Sequence, residues 1–174
     1  MKVCQKGGWR ISGIEPNEKA RAIASDKIKK EEAIAESIDA YLQTHKESFD
    51  VITMWHVLEH VPNLEQYIEQ LKLLLKPEGW LIVAVPNFNS YDAKHYKEFW
   101  AAYDVPRHLW HFSDFSINRI FESFDFKVKR TLPMVFDSFY VSILSEKYKS
   151  GKSNLLKAFR TGLISNLKAR RSGQ

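Results

Sequence analysis

Apolar positions along the chain follow two clear rhythms. Phe49–Trp55 (FDVITMW) is nearly continuous in apolar character, the pattern of a strand covered on both faces. Leu64, Tyr67, Ile68, Leu71, Leu74 and Leu75 then recur at helical spacing and form one apolar stripe. Asn63, with Gln66 three residues on, marks the start of that helix. Pro77 is expected to stop it and Gly79 to relax the turn. Trp80–Val85 reads as a second buried strand, ended by Pro86-Asn87. The prediction is two parallel strands joined by a helical crossover, which is right-handed in nearly all known cases. Open α/β sheets bind ligands at the carboxyl ends of their strands. Here that position belongs to the loop carrying Trp55, His56, Glu59 and His60.

Elsewhere the pattern is weaker. Arg10–Ile14 alternates and is β-branched, so it predicts a strand. Asn17 can cap a helix over Glu18–Lys30. A weak strand near Ala33–Glu36 and a short helix near Ile38–Thr44 follow. Asn89 to His111 is long, aromatic and without regular period, which predicts a functional loop. Ser113 is placed to cap a helix near Asp114–Ser123, and Phe126–Thr131 reads as a strand. Asp137–Lys147 and Ser153–Arg171 read as helices, although DSFYVSILS also suits a strand.

Composition narrows the class. A length of 174 residues suits one domain, and 44% hydrophobic with 27% charged residues provides for a core. No apolar run approaches the ~20 residues that span a bilayer, and MKVCQKGGWR has no apolar signal segment. Cys4 is the only cysteine, so no internal disulfide forms and a reducing cytoplasm is expected. From Lys147 onward there are eight basic residues and no acid. Setting those eight aside leaves 18 basic against 21 acidic residues, so the first 146 carry a net −3. Any preference for polyanions therefore belongs to the basic amphipathic tail at 148–174. Its Leu155, Leu156, Phe159, Leu163, Ile164 and Leu167 share one side. Such a stripe either lies on an anionic membrane or packs on its own domain or a partner, and packing is the expectation.

Three groups of residues offer chemistry. Glu15, ending the first strand, can accept both hydroxyls of a ribose; as a plain surface acid it would open the next helix. In the Trp55-His56-x-x-Glu59-His60 loop the indole can stack on a purine, and a histidine or carboxylate can orient or deprotonate a substrate. The spacing of His56 and His60 matches a zinc H-E-x-x-H motif only loosely, because the acid lies beside the second histidine and the segment precedes a helix. No metal is expected. In Tyr103–His111, Arg107 can clamp a carboxylate or phosphate and His108 or His111 can act as base. The structural alternative is Arg107 paired with Asp104 and His111 packed before the Ser113 cap.

The blocks GIEP, FDVITMWHVLEHVPN, LLLKPEGWLIVAVPN and DVPRHLWHFS, from about Gly8 to Phe126, resemble the class I S-adenosylmethionine-dependent methyltransferases. The nearest branch is the bacterial group related to the ubiquinone-biosynthesis methyltransferases. The resemblance implies a Rossmann-like, doubly wound, mostly parallel α/β sheet, S-adenosylmethionine as cofactor and a small-molecule methyl acceptor. By position it implies Glu15 as the ribose-binding acid, and Ser37 and Ile38 near the adenine. Met54, Trp55 and His56 would line the methionine and methyl-donor region. His60 and the segment Arg107–His111, with Tyr103, would face the acceptor. His56, His60, His108 and His111 are candidate bases, with no choice among them. The protein's main task in such a reaction is to hold the nucleophile in line with an already activated methyl carbon. The amino-methylating nucleic-acid enzymes carry N/D-P-P-aromatic after the corresponding strand; WHVLEH replaces it here, so no nucleic-acid partner is expected.

The family's G-x-G-x-G loop has no counterpart among the seven glycines. Met1–Gly8 resembles the end of the helix after that loop, and RRSGQ stops where a last antiparallel strand belongs. The expectation is one partial domain over 1–174, truncated at the first strand and at the last. The alternative function is an inactive fragment or binding module that keeps the fold.

Overall fold

Asn17 starts the first long helix as its chemistry requires: its Oδ1 accepts the Ala20 amide at 3.0 Å. The computed structural model describes residues 2–28 and 34–172. The chain divides into two compact units, Met1–Ile52 with Glu69–Leu81, and Thr53–Ile68 with Ile82–Gln174.

The first unit opens with α1 (Lys2–Lys6), the short helix expected at the start of the chain. β1 (Gly13–Ile14) is shorter than predicted: Arg10, Ile11 and Ser12 lie outside it. α2 (Glu18–Ile28) follows; the predicted last turn to Lys30 lies outside the described residues, as does Ala33. β2 (Ile34–Ala35) pairs parallel with β1, Gly13 opposite Ile34 and Ile14 opposite Ala35. Ile28 and Ile34 are buried together with Ile11 and Ala24 against them. α3 (Ile38–Leu42) buries Tyr41, whose hydroxyl accepts the Gly13 amide at 3.2 Å.

β3 (Phe49–Trp55) has the predicted bounds and is hydrogen-bonded to β4 (Leu75–Ala84). Between them runs α4 (Leu64–Leu74), with Leu64, Ile68, Leu71 and Leu74 all buried, as the stripe required. One expectation fails here. Pro77 and Gly79 do not form the turn that ends the helix; they lie inside β4. The Glu47 and Ser48 amides donate in turn to the carbonyls of Leu73 and Leu74, so the chain is already drawn into pairing before Pro77. Gly79 then serves a close approach: a Cβ there would lie 3.1 Å from the Phe49 carbonyl oxygen and 2.8 Å from Leu75 Cδ2.

In the second unit the predicted long loop is largely helical. Ser90 caps α5 (Tyr91–Tyr96), and single 3₁₀ turns follow at Lys97–Phe99 and Ala101–Tyr103. No 3.6-residue period announces them, because they are set by the packing of Tyr96, Trp100 and Ala102 with Ala93, Tyr103 and Val141. The chain then returns beside Asn87, where Phe88 donates to the Phe112 carbonyl. α6 (Asp114–Ser123) carries the expected Ser113 cap, closed reciprocally by Ser116. The predicted strand Phe126–Thr131 does not form. Asp125 turns the backbone at φ 63° and Phe126 donates back to Phe121, so the segment leaves α6 without a strand partner among the described residues.

α7 (Val135–Ser150) and α8 (Leu155–Ser172) form a hairpin, which removes the strand alternative for DSFYVSILS. Buried polar bonds tie it down. Asp92 accepts Trp100 Nε1 at 2.7 Å and Ser165 Oγ at 2.6 Å. Ser145 Oγ accepts the Ala101 amide, and the Tyr96 hydroxyl donates to Glu146. Burial raises the Tyr96 pKa. Among the described residues, no helix is long and apolar enough to cross a membrane.

Candidate active site

In the first unit, the parallel pairing of β1 and β2 brings two predicted cofactor contacts to one carboxyl edge. Glu15 follows β1 directly and its amide donates to the Ala35 carbonyl at 2.9 Å. Its Oε1 accepts the Asn17 amide, also at 2.9 Å, which fixes the carboxylate at the strand end. Ser37, just beyond β2, caps α3 through its side-chain oxygen, and Ile38 is buried beneath it in that helix.

The second unit holds the remaining candidates. Met54 is buried in β3, whereas Trp55 is exposed at its end. His56 turns the chain out of the strand at φ 53°, a conformation rare for a side-chain-bearing residue, and donates its amide to the Ala84 carbonyl at 2.9 Å. Its ring lies between two carboxylates. Nδ1 is 3.3 Å from Glu59 Oε1, and Nε2 is 2.7 Å from Asp137 Oδ2. Glu59 first, and Asp137 after it, favour the charged ring over the opposing effect of partial burial, and raise its pKa from 6.5 to about 9. His56 is thus an imidazolium at neutral pH. It can orient and attract electron density but is in the wrong protonation state to accept a proton.

Glu59 organises the site. It lies fully buried in a 3₁₀ turn at Leu58–His60, and its carbonyl accepts the amides of Leu109 and Trp110. Its Oε2 is buried without a hydrogen-bond partner. The Trp110 indole donates to the Val61 carbonyl at 2.7 Å. These bonds hold the 103–111 segment against the turn after β3 and bring His60 and His108 together, ring centroids 4.6 Å apart.

Backbone carbonyls set the tautomers. A carbonyl only accepts, so His60 donates Nδ1–H to Arg107 and His108 donates Nδ1–H to Ala102, at 3.0 and 2.9 Å. Both therefore carry the Nε2 lone pair when neutral. His108 Nε2 lies 4.0 Å from Glu59 Oε1 and 3.8 Å from Asp104 Oδ2. One ligand atom each from Glu59, His60 and His108 lies within 4.8 Å of the others, a spacing one cation could span. His111 is turned differently, with Nε2 donating to the Tyr103 carbonyl and its ring edge-on to Tyr103.

Arg107 is exposed, and Asp104 engages its guanidinium at 2.7 Å. The fork that sequence offered to a substrate anion thus already holds a carboxylate. Asp137 was not among the candidates. It lies 81 positions from His56, and its only local signal was an acid in the first turn of a helix, which the helix dipole explains equally well.

Residues 1–131 match the family described as "Methyltransferase domain". Among curated proteins, the "Ubiquinone biosynthesis O-methyltransferase" of Yersinia enterocolitica is 32% identical over 78 residues, 45% of this chain and 32% of that protein. The protein of the same name from Thiobacillus denitrificans is 34% identical over 89 residues, 48% of this chain and 38% of its own length. The matched part thus spans roughly a third of these relatives. Among solved structures, a "SAM dependent methyltransferase from Archaeoglobus fulgidus" superposes with a TM-score of 0.52 at 17% identity, over 85% of this chain and 72% of that one. At that identity the likeness is one of fold: the Rossmann-like α/β architecture expected from sequence.

Proposed function

This chain belongs to the methyltransferase-domain family, and from that premise we propose that it serves methyl transfer from S-adenosylmethionine to a small-molecule acceptor. The observation that carries the reading is the shared carboxyl edge of β1 and β2, with Glu15 held by the Asn17 amide and Ser37 beside it. This edge fits an adenosine. A carboxylate offers two oxygens, and fixing one through the backbone presents the other to a ribose hydroxyl without further ordering. Ile38 is apolar, as the face of an adenine ring requires.

When bound, S-adenosylmethionine supplies a sulfonium-activated methyl group. The chain's own residues do the rest. His56, charged and clamped by Glu59 and Asp137, is a fixed positive group that can orient an electron-rich acceptor. His60 and His108 are the proton acceptors we assign, each with Nδ1–H anchored to a carbonyl and Nε2 available. Such a base helps when the acceptor is a hydroxyl, and the relatives' names as O-methyltransferases support oxygen as the accepting atom. Tyr103 and Arg107 would border the acceptor, Arg107 with its charge shared by Asp104. The absence of N/D-P-P-aromatic after β3 supports a small molecule over a nucleic acid. The exposed Cys4 thiol suits a cytoplasmic setting.

Isothermal titration of the chain with S-adenosylhomocysteine tests the reading. The expected result is saturable heat that Glu15→Ala weakens. No heat in the unaltered chain would remove the proposal.

A further inference from the structure

α8 is built with its apolar side out. Its buried residues are Ala158, Thr161, Gly162, Ser165 and Asn166, all small or polar, while Leu155 and Leu156 are 64% and 85% exposed. Phe159, Leu163 and Leu167 are exposed with them. At 3.6 residues per turn these five fall within an arc of about 120° that borders the face meeting α7 and overlaps it at Leu155. The contact with α7 combines one ring pair, Phe159 stacked on Phe139 with centroids 5.2 Å apart, with a close backbone approach. Gly162 lies so close to Phe139 that a Cβ would meet its ring at 2.6 Å. Asn166 Nδ2 donates to the Val135 carbonyl and Ser138 Oγ to the Gly162 carbonyl. The packing on α7 is therefore made largely by the neighbouring face, to which the stripe contributes Phe159.

Charge says what covers the outward face. Lys157 and Arg160 continue around the helix from the apolar arc, and Arg170 lies near its far end. No acid occurs after Glu146, which is itself buried and hydrogen-bonded to Tyr96. A second copy of this face would bring like charges together, and a nucleic acid would leave the leucines in water. A helix with an apolar stripe bordered by Lys and Arg, and too polar to span, suits the interface of a bilayer with anionic headgroups.

We propose that the outer face of α8 docks the protein on an anionic lipid surface. Leu155, Leu156, Leu163 and Leu167 enter the acyl boundary, and Lys157 and Arg160 meet the headgroups. The proposal is independent of the methyl-transfer reading, because it concerns partition alone.

Vesicle flotation tests it, using phosphatidylcholine alone and with about 30% phosphatidylglycerol. The expected result is roughly tenfold or greater enrichment on the anionic vesicles, lost as salt rises from about 0.1 M to about 1 M. Leu155→Ser/Leu156→Ser should reduce binding roughly tenfold with unchanged far-ultraviolet circular dichroism, since neither side chain supports the core. Lys157→Glu/Arg160→Glu should erase the anionic preference. Lys168 is left in place because it lies over the Tyr91 ring. Absence of flotation, or flotation that both double variants leave intact, overturns the proposal. So does lipid-free self-association that Leu155→Ser/Leu156→Ser abolishes, which would assign the face to a second copy.

Discussion

His56 Nε2 and Asp137 Oδ2 lie 2.7 Å apart, joining the end of β3 to the first turn of α7. The contact closes a chain of charge that begins at the buried Glu59.

The pH dependence follows from the direction of the His56 shift. The folded-state pKa, about 9, lies above the ordinary 6.5. The stabilisation is therefore fully present below about pH 6.5 and is lost as pH rises through about 9. In an NMR titration the His56 Cε1 proton should stay in its imidazolium position at pH 7.5. Because Glu59 is the larger cause, Asp137→Asn should lower the midpoint while leaving it above 6.5. A midpoint at or below 6.5 in the unaltered protein would contradict the carboxylate clamp.

Glu15→Gln and Glu15→Ala distinguish a ribose acid from a helix-opening acid. A charge-assisted hydrogen bond contributes about 1.5–3 kcal/mol. Glu15→Ala should accordingly weaken S-adenosylhomocysteine binding about 10- to 150-fold by calorimetry, with Glu15→Gln between the two. Equal affinities for all three chains would leave Glu15 with only a structural role.

Gly162→Ala sets helix propensity against packing. Alanine is favoured over glycine in a helix by about 1 kcal/mol. The new Cβ, however, would meet Phe139 Cδ1 at 2.6 Å and its Cα at 3.1 Å. A backbone atom cannot move aside as a side-chain tip can, so overpacking of about 1–3 kcal/mol should dominate. Urea denaturation should show a lower midpoint; a raised one would mean the hairpin is looser than described.

Asp92→Ala removes the shared acceptor of the Trp100 indole and the Ser165 hydroxyl, both in buried surroundings. Two donors left without partners should cost about 2–5 kcal/mol. Asp92→Asn, which keeps one acceptor oxygen, should cost less. Thermal unfolding of the two variants against the unaltered chain provides the comparison.

Much of the architecture is legible where one local rule settles the outcome. The apolar run Phe49–Trp55, the stripe from Leu64 to Leu74, and the Asn17 and Ser113 caps all read directly as elements. Legibility ends where tertiary contacts override local chemistry. Pro77 looks like a helix stop, but pairing of Glu47 and Ser48 with Leu73 and Leu74 ends the helix first. α5 and the 3₁₀ turns after it owe their form to Tyr96 and Trp100, whose spacing has no helical period. At the site, sequence grouped His56, Glu59 and His60 correctly as neighbours. It could not see Asp137, nor which carbonyls the ring nitrogens of His60, His108 and His111 engage, because those bonds join distant segments or depend on backbone direction.

α8 is held to α7 through Gly162, Asn166 and the stacked ring of Phe159, and to α5 through Ser165 and Asp92. Most anchors of this kind do not read the identity of the exposed leucines beside them. The exposed leucines Leu155, Leu156, Leu163 and Leu167, unlike Phe159 stacked on Phe139, are thereby only weakly coupled to folding. Substitutions there can retune where the protein resides without altering what it is.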